Sequence, residues 1–346
     1  MTQTHQYIDR TSGRVCNEPL FADRIIQWLY HPVREKAPQL FQLLTGSGAS
    51  KLLGFFNYDL ALATKVLGNQ QFLREAGVDL RECLEPPRKL DTARKVFERK
   101  IRYWNCRPMP EQPHAILSPA DARVIVGSLD ENSCMEIKGK FFSFEELLGE
   151  QKTCWLNCFA RGDFSLFRLT PDKYHYNHCP VSGKVVDYYQ LDGCFHSCNP
   201  QAIISAATPF SKNRRVVTII DTDVEGGSGV GYVAMLEIVA LMIGDIVQCY
   251  STCCYDNPEP MKIGMFLTKG APKSLYRPGS STDILLFEKG RIEFAADLLE
   301  NRLRQDVQSR FSAGFQTPLV ETDIQVRSLL GTALQPKSKH QGAHHD

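Results

Sequence analysis

The stretch RPGSSTDILLFEKG, residues 277–290, decides how this chain is read. Pro278-Gly279 is a strong turn signal, and Ile284–Phe287 is an apolar run of the length of a buried strand. Ser280, Ser281 and Thr282 stand between the two, at the mouth of the strand. A turn by itself accounts for small polar residues in that place. Whether the hydroxyls do more depends on which partners the rest of the chain supplies.

Working outward, the chain has 346 residues, a length for one large domain or two closely packed ones. Its apolar and charged fractions, 43% and 23%, are those of a globular protein. A formal net charge of +1 gives no electrostatic footprint for nucleic acid. Twelve cysteines in a chain of this size point to free thiols in a reducing, cytoplasmic compartment rather than to a disulfide scaffold. Cys154/Cys158 and Cys194/Cys198 lack the tighter spacing and the histidines of a zinc site, so no metal is expected. The N-terminus MTQTHQYIDR has no apolar signal core, and no run of about eighteen apolar residues occurs. Attachment to one face of a membrane stays open.

The fold expected is α+β, a helical N-terminal region followed by a mainly antiparallel β domain. Residues 1–105 carry apolar residues at helical spacing, in PLFADRIIQWLYHPVREKAPQLFQLLTG, KLLGFFNYDLALATKVLG and DTARKVFERKIRYW (91–104). Their aromatic residues suit either packing on a core or contact with a lipid interface. Residues 106–330 are β-rich, in AILSPADARVIVGSL, CMEIKGKFFSF, FSLFRLT, GKVVDYYQL, RRVVTIID and MKIGMFLTKG. Residues 230–243 read as strand or helix, and EFAADLLENRL (293–303) as a short amphipathic helix. EGGSGVGYV (225–233) lacks the spacing of a dinucleotide loop and reads as a tight β connection. Residues 331–346 form a polar tail, expected to be disordered, whose His340, His344 and His345 belong to solvent.

Three places hold chemically useful groups. Asp121 lies in SPADARV, His175 and His178 in DKYHYNHCPVSGKV, and Ser280-Ser281 in the opening stretch. Carboxylate, imidazole and hydroxyl are the parts of an oriented nucleophile. No G-x-S-x-G elbow surrounds the serines, so an ordinary serine hydrolase fits poorly.

Four segments, in order, make the pattern specific: Pro119-Ala120-Asp121, Tyr174-His175-Tyr176-Asn177-His178-Cys179-Pro180, Asn213-Arg214-Arg215-Val216, and Gly279-Ser280-Ser281-Thr282 ahead of Phe287. Together they resemble the phosphatidylserine decarboxylase family of self-processing pyruvoyl enzymes, over residues 40–300. Ala122 replaces the family's glycine and Arg214 its glutamate. The lead-in KGAPKSLYRP lacks the family's Glu and second Gly.

The resemblance implies that a serine attacks the preceding carbonyl, cuts the chain and becomes a covalent pyruvoyl group, an electron sink for decarboxylation. It gives His178 the role of base, Asp121 that of orienting His178, and His175 that of proton donor to the substrate. Ser281 stands six residues before Phe287, the family's count, and a cut between Ser280 and Ser281 is expected; the alternative is a cut between Gly279 and Ser280. The substrate implied is phosphatidylserine, converted to phosphatidylethanolamine and CO2 on a peripheral membrane contact. A free, including aromatic, L-amino acid is the alternative. A homodimer of processed heterodimers is expected. The altered lead-in motivates a third reading, an unprocessed lipid-binding or scaffold homologue.

Overall fold

The computed structural model describes residues 4–18, 78–130, 141–170, 172–194, 196–205, 209–239, 245–278 and 281–334. Among them the strands are, in chain order, β1 (Gln6–Asp9), β2 (Val15–Asn17), β3 (Ala115–Leu117), β4 (Ala122–Ser128), β5 (Asp163–Leu169), β6 (Tyr176–His178), β7 (Gly183–Leu191) and β8 (Arg215–Asp221). There follow β9 (Tyr232–Val239), β10 (Ile246–Gln248), β11 (Phe266–Leu267), β12 (Pro272–Tyr276), β13 (Ser281–Phe287), β14 (Ile292–Phe294), β15 (Thr322–Ile324) and β16 (Leu329–Ala333). Ten of them make one sheet in the order β11-β7-β8-β9-β13-β5-β4-β15-β1-β2. The others make two small sheets, β10-β12-β6 and β14-β16-β3. All the described pairs are antiparallel except β1 with β15.

The strand of the opening stretch, β13, lies inside the large sheet, paired on one side with β9 and on the other with β5. Both of its faces are covered, so it shows a continuous apolar run rather than an alternation. Leu285 and Phe287 face a layer that includes Cys179, Val181, Ala271 and Tyr276 from around the small sheet β10-β12-β6. Ile284 and Leu286 face a helical layer holding Phe141, Phe159, Phe210 and Phe311. Burial of each such side chain is worth about 1.5–3 kcal/mol, which pins the register. Ser281 shares the face of Leu285 and Phe287 because side chains on one face of a strand recur every second residue.

The mixed α+β architecture has few helices and a large antiparallel β domain, as the composition of its segments suggested. The ambiguous residues 230–243 contain a strand, β9. Before it, Gly226, Gly229 and Gly231 all have positive φ, which makes the glycine-rich stretch a tight β8–β9 connection. The helical reading of residues 1–105 fails at its start, where Gln6–Asn17 is a β hairpin. DTARKVFERKIRYW gives two short helices, α1 (Ala93–Phe97) and α2 (Tyr103–Cys106). The helices expected between residues 20 and 70 lie outside the described residues, as does the tail from 335; the disorder expected from 331 fails at its start, where residues 331–333 belong to β16 and pair with β14. MKIGMFLTKG is mostly loop, with only the two-residue β11. The end of CMEIKGKFFSF opens the helix Phe144–Leu148, where Ser143 Oγ accepts from Glu146 N–H at 3.3 Å.

Candidate active site

Ser281 is the first residue of β13, directly opposite Val239 and Leu169. Its side chain is buried, and Oγ has no hydrogen-bond partner among the described residues. Such a hydroxyl is costly unless it has a task. Gly279 and Ser280, and with them the bond expected to break, lie outside the described residues. The next residue, Thr282, contacts the Cys198 thiol through its hydroxyl at 3.0 Å.

Both histidines are brought to the small sheet on the Ser281 side. His178 ends β6, and the His175 carbonyl accepts from Tyr276 N–H at 3.0 Å beside β12. The His175 ring stacks on Phe97 of α1, with centroids 3.4 Å apart, and neither ring nitrogen makes a hydrogen bond among the described residues. Burial, reinforced by the Arg99 guanidinium, holds it neutral, well below the usual imidazole range.

His178 is fully buried and uses both nitrogens. Nδ1 is 2.9 Å from the Gly270 carbonyl oxygen, and Nε2 is 3.0 Å from the Tyr174 hydroxyl. Burial pushes its pKa down to about 3, despite a favourable influence from Asp121. The ring is therefore neutral. A carbonyl only accepts, so the proton sits on Nδ1 and Nε2 presents a lone pair.

Asp121 does not make the orienting bond to His178 that the resemblance implies; Gly270 makes it. The Asp121 carboxylate instead accepts from Arg107 Nε at 3.0 Å and Nη2 at 2.8 Å, and from Val326 N–H at 2.8 Å. Burial would raise its pKa, but the Arg107 guanidinium holds it below the ordinary value. Arg107 also donates to both oxygens of Glu82, at 2.8 and 3.0 Å. No hydrogen bond joins Ser281 to either histidine in this state.

Several site residues went unseen in the sequence. Gly270 has φ +77°, where a side chain is strained, and a Cβ there would stand 2.6 Å from Met109 Sδ, so glycine suits the turn that offers that carbonyl. Tyr174 touches Tyr255, oxygen to oxygen, at 2.7 Å. Between the large sheet and β10-β12-β6 lies a buried polar cluster. Lys273 Nζ reaches Glu237 Oε2 at 2.7 Å and Gln248 Oε1 at 2.9 Å, and Ser274 and Asn177 also donate to Glu237. Directly opposite Glu237, on the Ser281 face, is Asp283, which contacts the Tyr276 hydroxyl at 2.7 Å through Oδ1 and nothing through Oδ2. Burial, then the neighbouring Glu237, push the Asp283 carboxyl well above its usual range. An Asp at the start of an apolar strand was the available signal.

Away from the site, His5, Glu18 and Glu321 have ligand atoms within 4.8 Å of one another. Arg168 occupies both carboxylates, at 2.6 Å each, and Arg123 reaches Glu18 at 2.7 Å. The group is a charge-balanced clamp on the N-terminal hairpin.

Comparison with known proteins follows this geometry. A family profile described as phosphatidylserine decarboxylase matches residues 93–311. A phosphatidylserine decarboxylase proenzyme of Clostridium tetani is 28% identical over 289 residues, 82% of this chain and 87% of the relative. One from Fusobacterium nucleatum is 25% identical over 310 residues, 89% of this chain and 95% of the relative. Phosphatidylserine decarboxylase proenzyme 2 of Oryza sativa is 35% identical over 232 residues, 66% of this chain but 34% of that longer protein.

Proposed function

The chain belongs to the phosphatidylserine decarboxylase family, and from that premise we propose that it cuts itself before Ser281 and decarboxylates phosphatidylserine. The observation that carries the reading is the buried Ser281 Oγ at the head of the central strand, without a hydrogen-bond partner among the described residues. The same observation is the test of fit for a pyruvoyl group: the atom the maturation step must use is desolvated and uncommitted. The register supports Ser281 over Ser280, since Ser281 faces the layer that carries the histidines.

In maturation, Ser281 Oγ loses its proton to a base as it bonds to the carbonyl carbon of residue 280. The C–N bond to Ser281 then breaks, its nitrogen taking a proton, and the chain is joined through an ester at Oγ. Loss of the Ser281 Cα proton expels residue 280 as a carboxylate, which cuts the chain, and water then replaces the nitrogen, which leaves as ammonia. His178 suits the role of base, because Gly270 fixes the tautomer that places the lone pair on Nε2. Asp121 contributes indirectly, by tying Arg107 and the Val326 backbone beside the ring. A pyruvoyl group at position 281 supplies an electron sink for the charge left when CO2 departs. His175 is the donor the resemblance implies for the proton the substrate's α-carbon needs; its ring is buried and neutral in the uncut chain, so the proton it gives is the one N–H of that neutral ring.

No helix of the described residues is long and apolar enough to cross a membrane. A lipid substrate is then met at a membrane surface, through residues 20–70 in this reading, by a dimer of the processed two-chain unit. The experiment is denaturing mass spectrometry of the purified protein, with CO2 release measured on phosphatidylserine vesicles and on a panel of free amino acids. The expected result is a 66-residue chain, residues 281–346, and turnover on vesicles. A single uncut mass would reject processing. Turnover of a free amino acid alone would reject the lipid.

A further inference from the structure

The base of the maturation step has one lone pair, and the structure shows it already engaged. The His178 Nδ1 proton is directed to the Gly270 carbonyl. Nε2 can then only accept, and the group facing it is the Tyr174 hydroxyl at 3.0 Å. Having given its proton to Nε2, the Tyr174 oxygen accepts from the Tyr255 hydroxyl at 2.7 Å. The Tyr255 oxygen in turn accepts from Ile101 N–H at 3.2 Å, and its one proton has two acceptors, the Tyr174 oxygen and the Ile101 carbonyl oxygen at 2.9 Å. Meanwhile Ser281 Oγ, the group the base must serve, has no partner among the described residues.

We propose that the Tyr174 hydroxyl, backed by Tyr255, is a brake on maturation: it occupies the His178 lone pair in the uncut chain and must yield before Ser281 is activated. This rests on the reading of His178 as base for Ser281. Tyr174 is a positioning residue, acting through His178. Its hydrogen bond is not needed to orient the ring. Gly270 already fixes the tautomer, and Tyr103 packs edge-on against the imidazole with centroids 4.7 Å apart. What the hydroxyl adds is competition for Nε2. When the Tyr255 proton points to Tyr174 rather than to the Ile101 carbonyl it strengthens that competition, since a hydroxyl that accepts a hydrogen bond donates a stronger one. Asp121 favours a charged ring, whereas Arg327 and Arg107 oppose it, and none of these forms a hydrogen bond with it.

The test is the time course of chain conversion during cell-free synthesis of the full chain, for wild type, Tyr174→Phe, Tyr255→Phe and His178→Ala. Phenylalanine keeps the ring packing and removes the hydroxyl. Tyr174→Phe is expected to mature roughly two- to tenfold faster, the worth of one net neutral hydrogen bond. Tyr255→Phe is expected to gain less, and His178→Ala to stay uncut. The acid limb of the Tyr174→Phe rate profile is expected at higher pH than in wild type, because an uncapped Nε2 protonates more readily. Equal or slower maturation of Tyr174→Phe, or an unmoved acid limb, overturns the brake. If Tyr174→Phe does not fold, Tyr255→Phe decides: faster supports the proposal, and equal or slower overturns it. A His178→Ala chain that matures overturns the assignment of the base, and the brake with it.

Discussion

Replacing Asp283 by asparagine tests the charge state of the sheet beside Ser281. Asp283 is buried opposite Glu237, and the cation in reach, Lys273, is committed to Glu237. Two carboxylates with one cation in a desolvated layer cannot both ionise cheaply, so the fold holds Asp283 protonated. The unfolded chain releases that proton near pH 4. Stability from this group is therefore complete below the unfolded pKa and falls as pH rises, until the folded carboxyl ionises. Within that window the loss is about 1.4 kcal/mol per pH unit. Asparagine has nearly the same shape and no titration. In a Ser281→Ala background, expected to keep the chain single, urea unfolding at pH 5, 6, 7 and 8 gives the difference between the chain that retains Asp283 and the Asp283→Asn chain directly. The difference should move in favour of the asparagine variant by about 1.4 kcal/mol per unit until it levels off at the folded pKa. Parallel stabilities from pH 5 to 8 would mean that Asp283 is ionised in the fold, and the reasoning from burial and Glu237 would be wrong.

Lys273→Met leaves Glu237 buried without its cation and is expected to cost about 3–5 kcal/mol in the same unfolding assay. Adding Glu237→Gln should return most of that loss, and a single-variant cost under about 1 kcal/mol would deny the pair its importance. Arg107→Met strips Asp121 of its guanidinium and should likewise cost about 3 kcal/mol or more, read as a lowered urea midpoint, with slower self-cleavage on a denaturing gel. His175→Ala should mature to two chains yet release no CO2 from phosphatidylserine; an uncut His175→Ala chain would place His175 in maturation instead.

The sequence made legible those elements whose signal is local. β5, β7, β8 and β13 stand where apolar runs bounded by turns put them. The helix at Phe144–Leu148 carried a readable mark, Ser143 followed three residues later by Glu146, that the β-rich texture around it hid. β9 stayed ambiguous because its residues from Val233 to Val239 are all buried, which erases the period of two. The hairpin at Gln6–Asn17 was not legible for another reason. Its first strand pairs with Thr322 and Asp323, and His5 bonds Glu321 across the whole chain. Contacts of that span leave no trace in local spacing. The same holds for Arg107 on Asp121 and for Tyr255 on Tyr174.

The lead-in to the cut shows how a family departure and a family feature divide the work of one segment. In KGAPKSLYRP the altered positions that motivated an unprocessed homologue are those of Pro272 and Ser274. Ser274 lies in the Glu237 cluster, and Pro272 stands opposite His178 at the irregular start of β12. The part retained, Lys269-Gly270, is the part that reaches His178. Lys269 Nζ ties down the carbonyls of Gln112, Pro113 and Ala115, and Gly270 turns its own carbonyl onto His178 Nδ1. A chain that had given up processing would be free to fill the close approach at Gly270 with a side chain, and here the approach is kept. Gly270→Ala puts that to the test. The added Cβ meets the flexible Met109 side chain at 2.6 Å, which can give, but it also sits on a backbone with φ +77° that strains any side chain, so the carbonyl is expected to swing off His178. The tautomer then loses its anchor, and self-cleavage should slow at least tenfold, a rise of about 1.4 kcal/mol in the barrier. Met109→Ala added to Gly270→Ala relieves the contact but not the strained φ, so only part of the rate should return. Full-speed maturation of Gly270→Ala would show that the carbonyl does not hold the base.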